Sequence, residues 1–321
     1  MGFLSQAFRF APIFIFGITG ASINEKSGHL NMGIPGMVCL GVLGAILGAI
    51  LVSNGYPGVA INPFLAFLVP TLFGMVFAAL GGLLFSFLAV TLKCNQNVVG
   101  LILTTLLTAL ANLFIKEVST SDFAVRVKGV AQTVQHLFPQ YGAAGWFGQL
   151  ILGQSIFFFL AIIFAILASV ILKKTRVGLN LRACGENPAA ADAVGINVDL
   201  YRYVATIVSG AIVGIAGVSF VLDYSTGLYN IDNAYSSYGW LILAMVILSN
   251  WTPWIGIFVG LGLGIVSFIP YQAGIPSSLV TIFKIIPYVV TILILIVTSI
   301  FNAKRMSSPS ALGQTYFREE R

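Results

Sequence analysis

The chain has 321 residues, of which 58% are hydrophobic and 8% are charged, with a formal net charge of +6 at pH 7. Soluble domains carry about 25% charged residues because their surface faces water. This composition, with a mean hydropathy of +0.98, therefore excludes a soluble globule. Continuous apolar runs such as 150–172 are typical of spanning helices and not of outer-membrane β-barrels. We expect an all-α integral membrane protein in contact with the lipid bilayer.

Hydropathy divides the chain into a polytopic bundle of about nine transmembrane segments, within a range of roughly eight to ten. The third segment is long enough to be tilted, and the seventh is short enough to be a partial helix. In the sixth, Gly210 and Gly214 stand four residues apart, which is typical of close helix packing. The segments lie near residues 7–23, 33–53, 61–92, 97–115, 150–172, 200–222, 238–250, 253–271 and 278–301.

Lysine and arginine concentrate in the cytoplasmic loops of membrane proteins. If the loop after the fifth segment and the tail lie inside, eleven of the 16 basic residues are cytoplasmic and four are external. This predicts a multi-pass protein of the cytoplasmic membrane, with a transmembrane domain over 1–301 and a cytoplasmic C-terminal tail over 302–321. Nine segments place the N-terminus outside, whereas a re-entrant first segment would return it to the cytoplasm. The concentration of basic residues in cytoplasmic loops accounts for the net positive charge of the chain, so nucleic acid is not an expected partner.

The longest external loop, 116–149, carries Tyr141, Trp146 and Phe147, which suit an aromatic belt at the membrane surface. Lys284 lies inside the last segment. Its side chain is expected either to reach the outer surface or to mark a functional position.

Polar residues, three glycines and a proline interrupt the hydropathy between the first two segments, over Ser22–Gly36. Glycine and proline disfavour a continuous helix, so the sequence predicts a broken helix there. Backbone groups freed by a break need partners, and such breaks tend to line substrate pathways. Asn24 and Asn31 are the candidate pathway residues of this segment. His29 is interpreted as a loop residue, not a metal ligand.

Thr104, Thr108 and Asn112 recur every four residues along the fourth segment, which places them on one helix face. Their hydroxyl and amide groups suit hydrogen bonds with ribose hydroxyls or base edges, so all three are candidate pathway residues. Threonine hydroxyls also bond to their own helix backbone, so a structural role is an equal alternative.

The polar loop 173–199 contains the local signals of a short helix. Asn187 is a favourable N-cap, Pro188 suits the first helical position, and an alanine-rich turn follows. Gly195 can end the helix in a left-handed conformation. A short helix between two membrane segments is well placed to transmit force, and a plain connecting loop is the alternative.

The sequence contains no nucleotide-binding loop of the form G-x-x-x-x-G-K-[ST]. It also lacks a metal-ligand cluster and a nucleophile–base–acid set, so no catalytic and no metal-binding residue is predicted. We interpret the chain as a transport subunit without an enzymatic site or a cofactor of its own. An active transporter of this kind takes its energy from a partner.

The stretch 178–196 resembles the run G-x-x-x-R-A-x-G-E-N-P-x-A-A-x-x-x-G-I. That run is found in permease subunits of bacterial ATP-binding-cassette (ABC) importers for branched-chain amino acids, simple sugars and nucleosides. The resemblance implies a cytoplasmic coupling helix that docks on an ATPase subunit, which would hold the ATP and magnesium. The matching positions are Gly178, Arg182, Ala183, Gly185, Glu186, Asn187, Pro188, Ala190, Gly195 and Ile196. The implied coupling residues are Arg182, Glu186, Asn187, Pro188, Asp192 and Gly195.

The stretch 24–36 resembles the family run S-E-R-S-G-x-x-N-x-G-x-E-G, with Lys26 in place of arginine and Pro35 in place of the acidic residue. The stretch 249–256 resembles the G-G-W-N-P-x-G turn, with Ser249 and Asn250 in place of the glycines and Thr252 in place of the asparagine.

The tail 309–321 resembles the pattern P-x-A-L-G-x-x-Y…R of the shorter of two paired nucleoside permeases. This favours a nucleoside as the substrate, with a simple sugar as the alternative. The implied partners are an ABC ATPase, a second homologous permease in a heterodimer, and an extracytoplasmic substrate-binding lipoprotein. The implied location is the bacterial cytoplasmic membrane.

Two further classes of protein are alternatives to the importer. An ion-driven secondary transporter needs intramembrane carboxylates or a comparable ion site. Glu25, Asp223 and Asp232 are all interpreted as lying in or near loops, which argues against this class. An intramembrane enzyme or channel is the third class, and neither a catalytic pair nor a pore repeat supports it.

Overall fold

A computed structural model of the chain describes residues 2–55, 61–118, 121–135, 151, 153–225, 234–269, 282, 285–302 and 308–317. The regular structure in these ranges is helical, and π-helical turns at Phe87–Thr91 and Phe220–Tyr224 extend the third and ninth helices. The helices are α1 Gly2–Lys26, α2 Ile34–Gly55, α3 Pro63–Ser86, α4 Gln96–Val118, α5 Ser121–Gln135, α6 Ile156–Lys174, α7 Arg176–Glu186, α8 Pro188–Ala193, α9 Val198–Ser219, α10 Ala234–Leu248, α11 Pro253–Phe268 and α12 Ile286–Asn302.

Within the described ranges, 6 helical stretches are long and apolar enough to cross a membrane. They are Leu4–Lys26, Ile34–Asn54, Pro63–Thr91, Gln96–Glu117, Ile156–Lys174 and Val198–Tyr224. Shorter apolar helices at Ser237–Leu248, Pro253–Phe268 and Ile286–Val297 occupy the positions of the predicted seventh to ninth segments. The all-α membrane class is confirmed, whereas a count of nine full spans stays a prediction.

Three helices form the centre of the bundle. The spans of α1, α2 and α9 are each 78% buried inside the chain, against 44% for α3 and 39% for α4 and α6. The outer face of α4 exposes large apolar side chains, among them Leu106, Leu110 and Phe114. Apolar surface of this extent is stable against lipid tails or a second membrane subunit, and not against water.

Glycines allow α2, α3 and α9 to pack at backbone distance. A Cβ atom added at Gly214 would lie 2.4 Å from the carbonyl oxygen of Gly74, and one at Gly41 would lie 2.4 Å from the carbonyl oxygen of Gly214. Gly210 meets the carbonyl oxygen of Ala78 in the same way, at 2.7 Å. The face predicted from the spacing of Gly210 and Gly214 is therefore a close-packing surface.

The external loop predicted over 116–149 contains a helix that was not predicted, α5 over 121–135, while its external placement stays a prediction. The signal was present in the sequence: Val127, Val130, Ala131 and Val134 follow helical spacing, and all four are buried. The low mean hydropathy of the stretch concealed this pattern. The predicted aromatic belt residues Tyr141, Trp146 and Phe147, and also Lys284, lie outside the described residues.

Candidate functional site

The break predicted over Ser22–Gly36 is confined to residues 27–33, because α1 and α2 extend to its two edges. The backbone N–H groups of Ser27 and Gly28 donate at 3.0 Å to carbonyls in the last turn of α1. Gly28 has a φ of +91°, a left-handed conformation that favours glycine. The break is thus a short, defined reversal between two central helices.

The two predicted pathway asparagines are fully buried and hydrogen-bonded within the chain. Asn24 donates from Nδ2 to the carbonyl of His29 at 3.0 Å and accepts at Oδ1 from the Thr206 hydroxyl at 2.8 Å. Asn31 accepts at Oδ1 from the backbone N–H of Gly33 at 2.7 Å. Both amides hold the shape of the break in this structure. Their contact with a substrate stays a prediction.

His29 lies inside the break and is fully buried. Its Nδ1 is 3.0 Å from the Thr206 hydroxyl, and its ring packs edge-on against Phe85, with centroids 5.8 Å apart. Burial, and to a lesser extent the charges of Arg202 and Lys93, lowers the pKa of His29 well below its ordinary value of 6.5. The ring is therefore neutral at neutral pH and acts as a structural member of the break.

The polar stripe of α4 faces α2 and the break. Thr104 donates to the carbonyl of Met32 at 2.6 Å, and the Thr108 hydroxyl lies 3.4 Å from Cys39 Sγ. Asn112 is half-buried in the same helix. These contacts join α4 to the break and to α2. They are therefore different from hydrogen bonds between a threonine hydroxyl and the backbone of its own helix. Their contact with a substrate stays a prediction.

The loop predicted to hold one short helix contains two, α7 and α8. In α8 the predicted capping is confirmed: Asn187 Oδ1 accepts from the backbone N–H of Ala190 at 3.0 Å, and Pro188 occupies the first turn. Gly195 has a φ of +85°. The helix α7 was not predicted. Its N-cap is Thr175, whose hydroxyl accepts from the third residue of the helix at 3.1 Å.

The outer face of α8 carries small side chains. Ala191 is 3% exposed and anchors the helix, whereas Val194 just beyond it is 75% exposed. Ala190, Ala193 and Gly195 are exposed beside it. These exposed side chains are small and apolar, so another protein can approach the α8 backbone closely.

The carboxylates predicted to act in coupling are bound by the tail. Glu186 accepts at Oε2 from the backbone N–H and the hydroxyl of Ser310, at 3.2 and 2.9 Å. Asp192 accepts from the Tyr316 hydroxyl at 2.8 Å. Arg182 is half-buried, and its Nε has no hydrogen-bond partner among the described residues. Ser310 and Tyr316 were not predicted as partners of these carboxylates, because the tail pattern indicated only the family.

Glu25 and Asp223 lie at the ends of spans, near loops as predicted, but both carboxylates are buried, which was not predicted. Glu25 lies in the last turn of the α1 span, is 2% exposed, and accepts from Trp251 Nε1 at 2.5 Å. Asp223 lies at the end of the α9 span, is 2% exposed, and accepts from the Ser155 hydroxyl. Asp232 lies outside the described residues. The argument against an ion-driven transporter from a lack of buried carboxylates therefore fails. The choice between that class and the importer depends on the family to which the chain belongs.

An apolar groove of about 520 Å³ lies between α6, α7 and α9. Residues such as Phe164, Leu181 and Val204 line it. A nucleoside in this groove would leave its hydroxyl and base groups without partners, at about 1–3 kcal/mol for each unpaired group. The groove therefore does not suit a polar substrate.

Comparison with known proteins gives a family match over nearly the whole chain. The family described as branched-chain amino acid transport system / permease component matches residues 2–295. No solved structure matches the chain.

Three curated relatives align over almost their full length. The nucleoside ABC transporter permease protein NupC of Lactococcus lactis is 30% identical over 95% of this chain and 93% of its own. The guanosine ABC transporter permease protein NupQ of Bacillus subtilis is 29% identical over 97% and 94%. TsgC13 of Haloferax volcanii, provisionally named a glucose ABC transporter permease protein, is 28% identical over 99% and 98%.

Proposed function

Because the chain belongs to the family of permease components of branched-chain amino acid transport systems, we propose that it forms the membrane pathway of an ATP-driven importer for nucleosides. Two full-length relatives, NupC and NupQ, carry nucleoside or guanosine in their names, which supports this substrate class. The pattern P-x-A-L-G-x-x-Y over Pro309–Tyr316 supports it independently.

The capped helix α8 is the observation that carries the coupling part of the proposal. It is short, it lies between the α6 and α9 spans, and its exposed side chains are small. In the proposal this surface docks in a groove of the ATPase. Asn187, Pro188 and Gly195 define the docking helix, while Glu186 and Asp192 connect it to the rest of the chain.

The partners follow from what the chain lacks. Its sequence has no nucleotide-binding loop, so an ATPase subunit supplies the energy, with ATP and magnesium on that subunit. NupB and NupC are two permease relatives from one organism, which supports pairing with a second permease. An external binding protein delivers the nucleoside. In this arrangement α8 and the tail lie on the cytoplasmic side of the bacterial membrane, as the basic residues favour.

The substrate pathway of the proposal runs along the seam between α2 and α4. Thr108 and Asn112 are half-buried there, and a small movement of α4 would expose their polar groups to ribose hydroxyls. Thr104, Asn24 and Asn31 lie deeper and contribute by holding the break in shape. The outer face of α4 is apolar and suits the partner permease or lipid.

Transport by the reconstituted complex tests the substrate class. The chain would be purified with its ATPase and second permease, placed in liposomes with ATP on the α8 side, and supplied with labelled nucleoside and the binding protein. We expect uptake that depends on ATP and is competed by unlabelled nucleosides, but not by glucose. Liposomes loaded with ADP are the control. Competition by glucose alone would replace the nucleoside with a simple sugar, the alternative that TsgC13 supports.

A further inference from the structure

Residues 308–317, which we call the strap, lie across the break and the end of α7. The backbone N–H of Ala311 donates to the carbonyl of Gly185 at 3.0 Å, and the backbone N–H of Gly313 donates to the carbonyl of Gly28 at 3.0 Å. One acceptor belongs to the last turn of α7 and the other to the break. The strap therefore joins these two parts through the main chain.

The joined parts are also in direct contact with each other. A Cβ atom added at Gly185 would lie 2.3 Å from the carbonyl oxygen of Lys26, and one at Gly28 would lie 3.2 Å from the Cα of Gly185. Side chains larger than hydrogen would separate the two backbones. A displacement of α7 is therefore passed to the end of α1 with no flexible side chain between them.

Two side chains of the strap extend the connection to two points of the α7–α8 loop (173–199), one at the end of α7 and one in α8. Ser310 binds Glu186 at the end of α7 with its backbone N–H and its hydroxyl. Tyr316 donates to Asp192 in α8 at 2.8 Å. Hydrogen bonds to a carboxylate are stronger than those between neutral groups. The strap thus holds the short helix α8 at two points, Glu186 just before it and Asp192 inside it.

The strap is also anchored to the membrane helices on its other side. Lys93, which follows α3, donates to the carbonyl of Tyr316 at 2.9 Å. Gln96 at the start of α4 and Arg202 in α9 both donate to the carbonyl of Gln314, at 3.2 and 3.3 Å. Arg202 is 3% exposed, so this carbonyl offsets part of the cost of removing its charge from water.

We propose that the strap is the positioning element that makes the α7–α8 loop and the break move as one body. ATPase closure would displace α8, and the strap would carry that displacement to the ends of α1 and α3 and to the starts of α2, α4 and α9. This inference rests on the proposed function, because closure of the ATPase is what would move α8. The positioning itself is a property of the chain alone.

A double substitution, Ser310→Ala with Tyr316→Phe, removes the two side-chain hydroxyls and leaves the main-chain bonds of the strap intact. The matched control is Ser308→Ala with Tyr288→Phe. Ser308 is an exposed strap residue, and the Tyr288 hydroxyl donates to Ser237, away from the strap. Hydrogen–deuterium exchange on the purified chain measures how firmly the strap holds the α7–α8 loop. Nucleoside uptake per ATP hydrolysed by the reconstituted complex measures how well the movement of α8 reaches the membrane helices.

Each hydrogen bond lost is expected to raise the equilibrium constant for local opening of the α7–α8 loop by about fivefold. The double variant loses two such bonds and should therefore exchange the amides of 185–195 about 25-fold faster than the control pair. Its complex should still hydrolyse ATP and retain the ATPase, while uptake per ATP falls several-fold.

Unchanged exchange would overturn the positioning role. Faster exchange with unchanged uptake per ATP would overturn the transmission role. If the unsubstituted chain fails to recruit an ATPase, the proposed function fails instead, and the exchange measurement still decides whether the strap positions the loop.

Discussion

Two consecutive residues, Asn250 and Trp251, adopt the left-handed backbone conformation, each with a φ of +51°. Asparagine tolerates this conformation, whereas for a bulky residue such as tryptophan it costs of order 1–3 kcal/mol. The Trp251 ring is 5% exposed, and its Nε1 donates to Glu25 at 2.5 Å. This bond to a buried carboxylate offsets the strain. The left-handed conformation at Asn250 also explains why the family turn that this stretch resembles has glycine at this position.

His29 predicts a pH dependence of stability. Its pKa in the folded chain lies well below 6.5, because burial disfavours the charged ring. Below about pH 6.5 the unfolded chain binds a proton that the folded chain does not, so stability is full above that pH and falls as the pH drops. His29 should therefore lower the free energy of unfolding by up to about 1.4 kcal/mol for each pH unit below about pH 6.5, and the Tm in detergent should show a corresponding decrease between about pH 6.5 and pH 5.5.

The substitution His29→Gln should reduce this decrease in Tm, even if it lowers the Tm at both pH values. His136→Gln, at the second of the 2 histidines in the chain, serves as the control and should keep the full decrease. An equal pH dependence in the His29→Gln protein would show that other groups cause it.

At the scale of elements, the break and the α7–α8 loop are held by caps and turns, and the spans by close packing. Glycines let α2, α3 and α9 meet at backbone distance. The helix α8, in contrast, has only six residues, too few for a stable isolated helix in water. Its N-cap and its contacts with the strap therefore decide whether it keeps one shape.

The substitution Asn187→Ala removes the side-chain acceptor for the Ala190 N–H and should destabilise α8 by about 1 kcal/mol. We expect nucleoside uptake by the reconstituted complex to fall several-fold while membrane insertion is unchanged. Asn187→Asp keeps an acceptor at the cap and should preserve most of the uptake. If Asn187→Ala transports as well as the unsubstituted chain, the shape of α8 is not required for coupling.

At the scale of the whole molecule, the orientation in the membrane can be read from the cysteines. Cys39 and Cys184 are buried, and Cys94, in the turn between α3 and α4, is partly exposed. Burial also raises the pKa of the Cys184 thiol, which lowers the fraction of reactive thiolate. Cys94 is therefore the reactive thiol among the three.

A membrane-impermeant maleimide should label Cys94 in inside-out vesicles and leave it unlabelled in right-side-out vesicles, because the proposed orientation places this turn in the cytoplasm. The Cys94→Ser protein should take up little label in either preparation. Labelling confined to right-side-out vesicles would reverse the orientation and place α8 outside the cell, where no ATPase could reach it.

The sequence alone was sufficient for the features that depend on composition and on neighbours in the chain. Membrane class follows from hydropathy, because lipid tails require apolar side chains over the length of a span. The cap of α8 follows from Asn187 and Pro188, since capping involves residues three apart. The family was identified from the motif over 178–196, and the match over residues 2–295 confirms it.

Tertiary structure decided what each polar residue contacts. The bonds of Glu186 with Ser310 and of Asp192 with Tyr316 join residues 124 positions apart, and no local pattern encodes such a pairing. Hydropathy placed Glu25 near a loop, but the structure buries it against Trp251, because a buried carboxylate is stable only where a distant donor reaches it. The spans and caps depend on solvent and local geometry, whereas the strap depends on which distant backbone groups the folded bundle leaves unpaired.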